Sequence, residues 1–274
     1  MAKSELIVPG APEPGANGSM VTVTPASAGW TYVGFEVFRL TPGQSFQREA
    51  DGSTELCAVL LSGKANASAG GKSWSGIGER MSVFEHKRPY CIYVPPGQQL
   101  ELEALTGVEL AVCSAPAEGK LEARLIEPED IEVEIRGQGN TERRIHQILP
   151  ETKLAESLLV VEVYTPNGHW SSYPPHKHDE DNLPAESYLE ETYYHRIQPE
   201  HGFAVQRVYT DDRSLDETLI VNNGDTVLVP RGYHPVSAPP GYDVYYLNVM
   251  AGPVRTWKFH NDPDHEWIFN EWKK

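Results

Sequence analysis

Two histidines one residue apart, His176 and His178, follow Pro174-Pro175. In an extended segment alternate side chains share a face, so both imidazoles point the same way. The prolines disfavour helix and favour that extended approach. Two carboxylates, Glu190 and Glu191, come roughly a dozen residues later, at the head of the alternating run Glu191-Thr192-Tyr193-Tyr194-His195. On a regular strand only one of the pair faces inward, and the aromatic alternation that starts at 191 favours Glu191. A third imidazole, His234, closes the stretch Gly224-Asp225-Thr226-Val227-Leu228-Val229-Pro230-Arg231-Gly232-Tyr233. Three histidines and one carboxylate (His176, His178, Glu191 and His234) form an open divalent-metal site, with positions left for water or substrate. A lone histidine is more often a satisfied core or surface residue; the conjunction of the three segments carries the metal reading.

The elements that must position these groups read as strands. Trp30 to Leu40 alternates and turns at Thr41-Pro42-Gly43, Glu55 to Ser62 is a mostly apolar run ending at Gly63, and Tyr90 to Val94 closes on Pro95-Pro96-Gly97. Residues 1–20, rich in Pro, Gly and Ser, read as an irregular lead-in. Residues 114–157 break the rhythm and read as a bridge holding one or two strands of its own. From Leu158 the pattern resumes with Leu158–Tyr164, Glu191–Ile197, Phe203–Tyr209, Thr218–Val221, Asp225–Val229 and Val244–Met250. Short strands at this spacing predict a sandwich or barrel. The tail, with Trp257, Trp267, Phe269 and Trp272, is short for a helix and is expected to pack across the outside of a barrel. The halves echo each other weakly: Ile92 to Gly97 matches Leu228 to Gly232, but Gln98-Gln99 stand near where His234 stands in the second copy. The expectation is an all-β duplicated barrel, with residues 1–145 a first copy without metal and 146–274 a second copy carrying the metal site and the tail.

A chain of 274 residues can bury a sizeable core. Its formal charge of −16 argues against nucleic acid and anionic membrane surfaces as partners. No apolar stretch approaches the roughly 20 residues that span a bilayer, and no charged-then-apolar signal pattern opens the chain, so a cytoplasmic protein is expected. Cys57, Cys91 and Cys113, odd in number and without CxxC spacing, read as small apolar core residues.

The motifs resemble those of the cupin superfamily. Gly168, His176-x-His178 and Glu191 look like its first motif, and Gly224, Pro230, Gly232 and His234 like its second. Longer strings, Trp170 to Asp179, Glu186 to Glu191, Tyr233 to Val236, Pro239 to Asp243 and Tyr246 to Pro253, are similar to the 5-deoxy-glucuronate isomerases of bacterial myo-inositol catabolism, relatives of the 4-deoxy-5-threo-hexosulose-uronate ketol-isomerases. The resemblance implies a bicupin of two antiparallel jelly rolls and a zinc on His176, His178, Glu191 and His234, with manganese or iron as alternatives. It also implies an aldose–ketose isomerisation of 5-deoxy-D-glucuronate to 5-dehydro-2-deoxy-D-gluconate.

Moving a carbonyl between neighbouring carbons takes a proton from the hydroxyl-bearing carbon and returns one to the former carbonyl carbon. A divalent cation gripping both oxygens acidifies that C–H and stabilises the enediolate. Glu190, should it curl inward, and a metal-bound water are the candidate bases, and Tyr188, Tyr193 and Tyr233 are candidate donors to substrate hydroxyls, with a place in an aromatic wall or on the outer surface as the bland alternative for each. The sugar-acid substrate needs a cation for its carboxylate. Lys177 should point outward and is discounted. Arg207, mid-strand where a buried cation is costly unless paired, is the first choice, with a salt bridge to a barrel carboxylate as its bland alternative. His195 shares the face of Glu191; the acidic loop Asp179-Glu180-Asp181 reads as solvated. Two rivals stand beside the isomerase: an iron-dependent cupin dioxygenase, and a sugar-binding bicupin without turnover. Edge strands offer a route to a homo-oligomer.

Overall fold

Alternation in the chain translates into sheets with one face on a core. In Gln99–Ala104, for example, Leu100, Leu102 and Ala104 are buried while Gln99, Glu101 and Glu103 are exposed. The structure, a computed structural model, describes residues 4–271. By its internal contacts the chain forms two compact units, residues 10–132 with 148–160, and residues 4–9 with 133–147 and 161–271. Trp272 of the tail lies outside the described residues.

The first unit is a sandwich. A six-stranded antiparallel sheet runs in the order Arg124–Ile126, Cys91–Val94, Thr54–Ser62, Val108–Pro116, Gly34–Leu40, Ser19–Val23. A four-stranded sheet runs Ser45–Glu49, Gln99–Ala104, Ala65–Ala69, Lys72–Ile77. Leu56, Leu60, Ile92 and Leu110 from one sheet and Phe46, Leu100 and Leu102 from the other share one core. Burying a side chain of this kind contributes about 1.5–3 kcal/mol relative to leaving it in water. The fully buried Glu55 accepts backbone N–H bonds from Glu156, Ser157 and Leu158 at 2.7–2.9 Å and the Tyr93 hydroxyl at 2.5 Å, which fastens the 148–160 segment to this sheet. Cys57, Cys91 and Cys113 are buried and free, as small core residues.

The second unit repeats the plan. Its seven-stranded sheet has the order Ile7–Val8, Thr226–Val229, Glu190–Gln198, Asp243–Ala251, Leu159–Thr165, Arg143–Leu149, Glu132–Arg136, and a four-stranded sheet has Trp170–Ser171, Val236–Ser237, Phe203–Tyr209, Asp216–Asn222. Val161, Tyr193, Val229 and Tyr246 from the first and Ala204, Val208, Leu219 and Val236 from the second fill the core. This is the duplicated antiparallel barrel expected.

Three segments differ from expectation. The lead-in is not wholly irregular, because Ile7–Val8 pairs with Val227 and Thr226 at a sheet edge. The bridge supplies three strands, Arg124–Ile126 and Glu132–Arg136 at sheet edges and Arg143–Leu149 one place in from the second of these edges. The tail does hold a helix, Trp267–Glu271, after a two-residue strand, His260–Asn261, that pairs with His176–Lys177. Among the described residues no helix is long and apolar enough to cross a membrane.

Candidate metal centre

Glu191 sits mid-sheet, in register with Val229 on one side and Met250 on the other, and is 1% exposed. Its Oε2 lies 3.0 Å from His178 Nε2 and 3.1 Å from His234 Nε2, and its Oε1 accepts the Asn248 amide at 2.5 Å. The ligand atoms of His178, Glu191 and His234 lie within 4.8 Å of one another. His176 stands beside this group, its ring centroid 5.0 Å from that of His234 and 6.4 Å from that of His178, with Phe259 packed against it at 4.7 Å. All four side chains are buried.

The remaining ring nitrogens fix what the site can hold. His234 Nδ1 donates to Gly232 O at 2.8 Å and His178 Nδ1 to Leu189 O at 3.2 Å. In a neutral imidazole that leaves the lone pair on Nε2, and both Nε2 atoms are turned toward one carboxylate oxygen. A proton on His178 can satisfy one of these contacts. His234 Nε2, fully buried, has no hydrogen-bond partner. A nitrogen lone pair facing a carboxylate oxygen across 3.1 Å is repulsive unless a cation lies near both. The donor set therefore fits a divalent cation, with each histidine oriented by a backbone carbonyl and the carboxylate by Asn248.

The electrostatics agree. Burial disfavours the Glu191 charge, but His234, His178 and the bonds from His178 and Asn248 outweigh it and hold the carboxyl at about 2. Burial, reinforced by His234 and His178, keeps His176 well below the ordinary histidine value, and burial lowers His234 too. At His178 burial is outweighed by Glu191, and the pKa rises.

Lys177 and the loop after it hold the histidines in place. Lys177 does point away from the site, yet it is buried: Nζ meets Asp179 at 2.7 Å, Glu180 at 3.2 Å and Glu186 at 3.3 Å. The loop read as solvated thus contributes a mostly buried carboxylate, Asp179, while Glu180 and Asp181 remain exposed. Asp179 Oδ2 also accepts the Gly232 N–H at 2.7 Å, tying the segment that carries His176 and His178 to the turn that delivers His234. Burial alone would lower the Lys177 pKa; the Asp179, Glu186 and Glu180 carboxylates outweigh it and raise it.

Three residues expected at the site are not brought to it. Glu190 is buried, but it precedes Glu191 on a regular strand and faces the opposite side of the sheet. Tyr233 precedes His234 and turns its ring onto Tyr209, with its hydroxyl donating to Asp211 at 2.9 Å. Arg207 lies on the outer face of its strand, because Gln206 and Val208 take the inward positions, and makes a two-pronged bond to Asp216 at 2.7 and 2.8 Å. The bland alternative describes Arg207. His195 is buried in the core, its Nε2 3.1 Å from Gln206 Oε1, and stacks on Tyr193.

The cavity beside His176 and Glu191 is lined by Tyr193, one of the candidate donors, and by Arg143, Arg136, Ser172, Tyr246 and Asn248, with Trp257 and aliphatic side chains completing the wall. Asn248 and Tyr246 had a readable signal, since they stand opposite Tyr193 and His195 on the same face of the neighbouring strand. Arg143 had none, as it arises from the bridging stretch.

The KduI/IolB family model matches residues 7–268. The 5-deoxy-glucuronate isomerase of Geobacillus kaustophilus is 65% identical over 265 residues, covering 97% of this chain and 95% of that protein. That of Bacillus subtilis is 51% identical over 247 residues, covering 90% and 91%. An IolB-like protein from Salmonella typhimurium superposes with a TM-score of 0.94 at 50% identity over 96% of this chain and 99% of that one. Oxalate decarboxylase of Bacillus subtilis superposes with a TM-score of 0.65 at 15% identity, covering 95% and 80%, a likeness of fold alone. With a match from Ile7 into the tail and relatives this similar end to end, the chain belongs to the KduI/IolB family.

Proposed function

We propose that this chain is an aldose–ketose isomerase of inositol catabolism that converts 5-deoxy-D-glucuronate to 5-dehydro-2-deoxy-D-gluconate, with a divalent cation held by His176, His178, Glu191 and His234. Relatives of that name, matched over nearly the whole chain, support the reaction. The observation that carries the metal is the convergence of two buried imidazole Nε2 atoms on one oxygen of Glu191. Zinc is the first choice by the resemblance to the related ketol-isomerases; imidazole and carboxylate ligands suit manganese or iron as well.

A cation held by these four residues would supply the positive charge that acidifies the C–H next to the carbonyl and stabilises an enediolate. The chain's own residues do the rest. His178 and His234 are held as lone-pair donors by the carbonyls of Leu189 and Gly232. Ser172 Oγ lies 3.1 Å from the Tyr193 hydroxyl and 3.5 Å from that of Tyr246, a hydroxyl cluster able to receive substrate hydroxyls. Burial raises the pKa of both phenols, so they stay protonated donors at neutral pH. Glu191 is the one carboxylate in the cavity wall and is engaged on both oxygens. With His176 committed to the cation as well, that leaves the hydroxyl cluster of Ser172, Tyr193 and Tyr246 as the side chains beside the cavity able to relay a proton between adjacent carbons.

Metal analysis of the purified protein, paired with an isomerase assay on 5-deoxy-glucuronate for wild type and His176→Ala, tests the proposal. Loss of metal and turnover together is the expected result. Equal turnover in the two removes it, and strict dependence on ferrous iron and dioxygen would replace it with oxygenase chemistry.

A further inference from the structure

Resting on the isomerase reading, we infer that Arg143 is the specificity-determining residue that receives the substrate's carboxylate. Arg143 as a whole is 6% exposed, and it lines the same cavity as His176 and Glu191. Its hydrogen bond is to a neutral acceptor, Nη1 donating to Thr141 O at 3.1 Å. Among the described residues no carboxylate lies within ion-pair distance of it. The neighbouring Arg136 is different, since Glu134 pairs with it through two bonds of 2.8 Å and its side chain is 32% exposed. Glu134 acts on Arg143 only from beyond ion-pair distance and is itself bonded to Arg136, so the buried guanidinium lacks a direct partner, a costly state that a ligand carboxylate would relieve.

The local backbone makes room for it. Gly137 has φ +87°, and a Cβ there would stand 2.1 Å from Thr141 O and 2.8 Å from Arg143 Nη1. Only a glycine leaves the turn and the guanidinium where they are. Burial pushes the Arg143 pKa down to about 10, so the group is still a cation at neutral pH. A six-carbon sugar acid carries its carbonyl and its carboxylate at opposite ends. With the carbonyl end at the histidines and Glu191, the carboxylate end falls to the cavity's buried cation, and a neutral aldose leaves that cation unpaired. The planar fork of arginine suits a carboxylate bidentately, which lysine does not reproduce.

The test compares wild type, Arg143→Gln and Arg143→Lys for kcat and KM on 5-deoxy-glucuronate and for metal content. Binding of D-gluconate and of D-glucitol, which differ in carboxylate against hydroxymethyl, is measured by calorimetry. Arg143→Gln should lose roughly 10- to 100-fold in kcat/KM, chiefly through KM, with metal content retained. It should also bind gluconate no better than glucitol, and Arg143→Lys should recover part of the preference. A glutamine variant that still prefers gluconate, or a wild type that binds the two equally, overturns the inference. A wild type that prefers gluconate through Arg143 but does not isomerise 5-deoxy-glucuronate sinks the isomerase reading and leaves the anion site standing.

Discussion

Replacing Lys177 by Met tests whether the metal-ligand segment is held by a buried ionic cluster. The Lys177 side chain is 5% exposed and meets three carboxylates within 3.3 Å, with a fourth, the exposed Asp211, at 3.9 Å. Glu180 is 62% exposed, so solvent screens its share to near nothing. Asp179 and Glu186, at 14% and 6%, are the partners left buried when the ammonium goes. Asp179 keeps the Gly232 N–H, and Glu186 keeps the backbone N–H groups of Asp179 and Glu180. The loss should therefore fall at the low end of the range for breaking a buried pair, about 3 kcal/mol at neutral pH. For a chain of this size that corresponds to roughly 6–12 °C in Tm. Thermal and urea unfolding of the chelator-treated protein measures it without the metal's own contribution. The triple variant Lys177→Met, Asp179→Asn, Glu186→Gln should regain much of the loss, because no buried charge is left unpaired. A single variant within about 1 kcal/mol of wild type, or a triple variant less stable than the single, would refute the reasoning.

Asn248→Leu removes the amide that orients Glu191 and should weaken metal affinity by about 10- to 100-fold, read by competition with a chelator. Unchanged affinity would mean Glu191 needs no support. Burial holds His195 at about 4 against an ordinary 6.5, so the folded chain keeps it neutral while the unfolded chain takes up a proton between those values. Stability from this group is whole above 6.5 and is lost as pH falls toward 4, by about 2.5 kcal/mol between about pH 7.5 and 4.5. His195→Gln should show an acid-side loss smaller by that amount in urea titrations at the two pH values; parallel losses would contradict it. Arg207→Ala, which removes a surface pair with Asp216 and a cation–π contact on Tyr209, both away from the cavity, should leave kcat/KM on 5-deoxy-glucuronate unchanged.

Period-two alternation is a strong constraint, and much of the centre could be read from it. Pro174-Pro175 ahead of His176-x-His178 forces an extended segment with both imidazoles on one side, and the run from Glu191 to His195 chose Glu191 over Glu190. The structure keeps both features. The same parity rule, applied consistently, would have turned Glu190 and Tyr233 away from the site, since each is one residue from an inward ligand. The cost of a mid-strand cation points to Arg207, but its strand places Gln206 inward and Asp216 beside the arginine.

Strand pattern and ligand spacing thus determined the duplicated β architecture and the three segments that meet at the centre, because both depend on neighbours along the chain. Tertiary structure alone decided what faces them. Arg143 reaches the cavity from a stretch that reads as a bridge, Lys177 finds buried carboxylates on the far side of its strand, and Ile7–Val8 closes a sheet edge more than two hundred residues away. Alternation fixes which side of its own strand a side chain takes. Whether that side holds water, a cavity or an opposite charge depends on the elements packed there, and they come from distant parts of the chain.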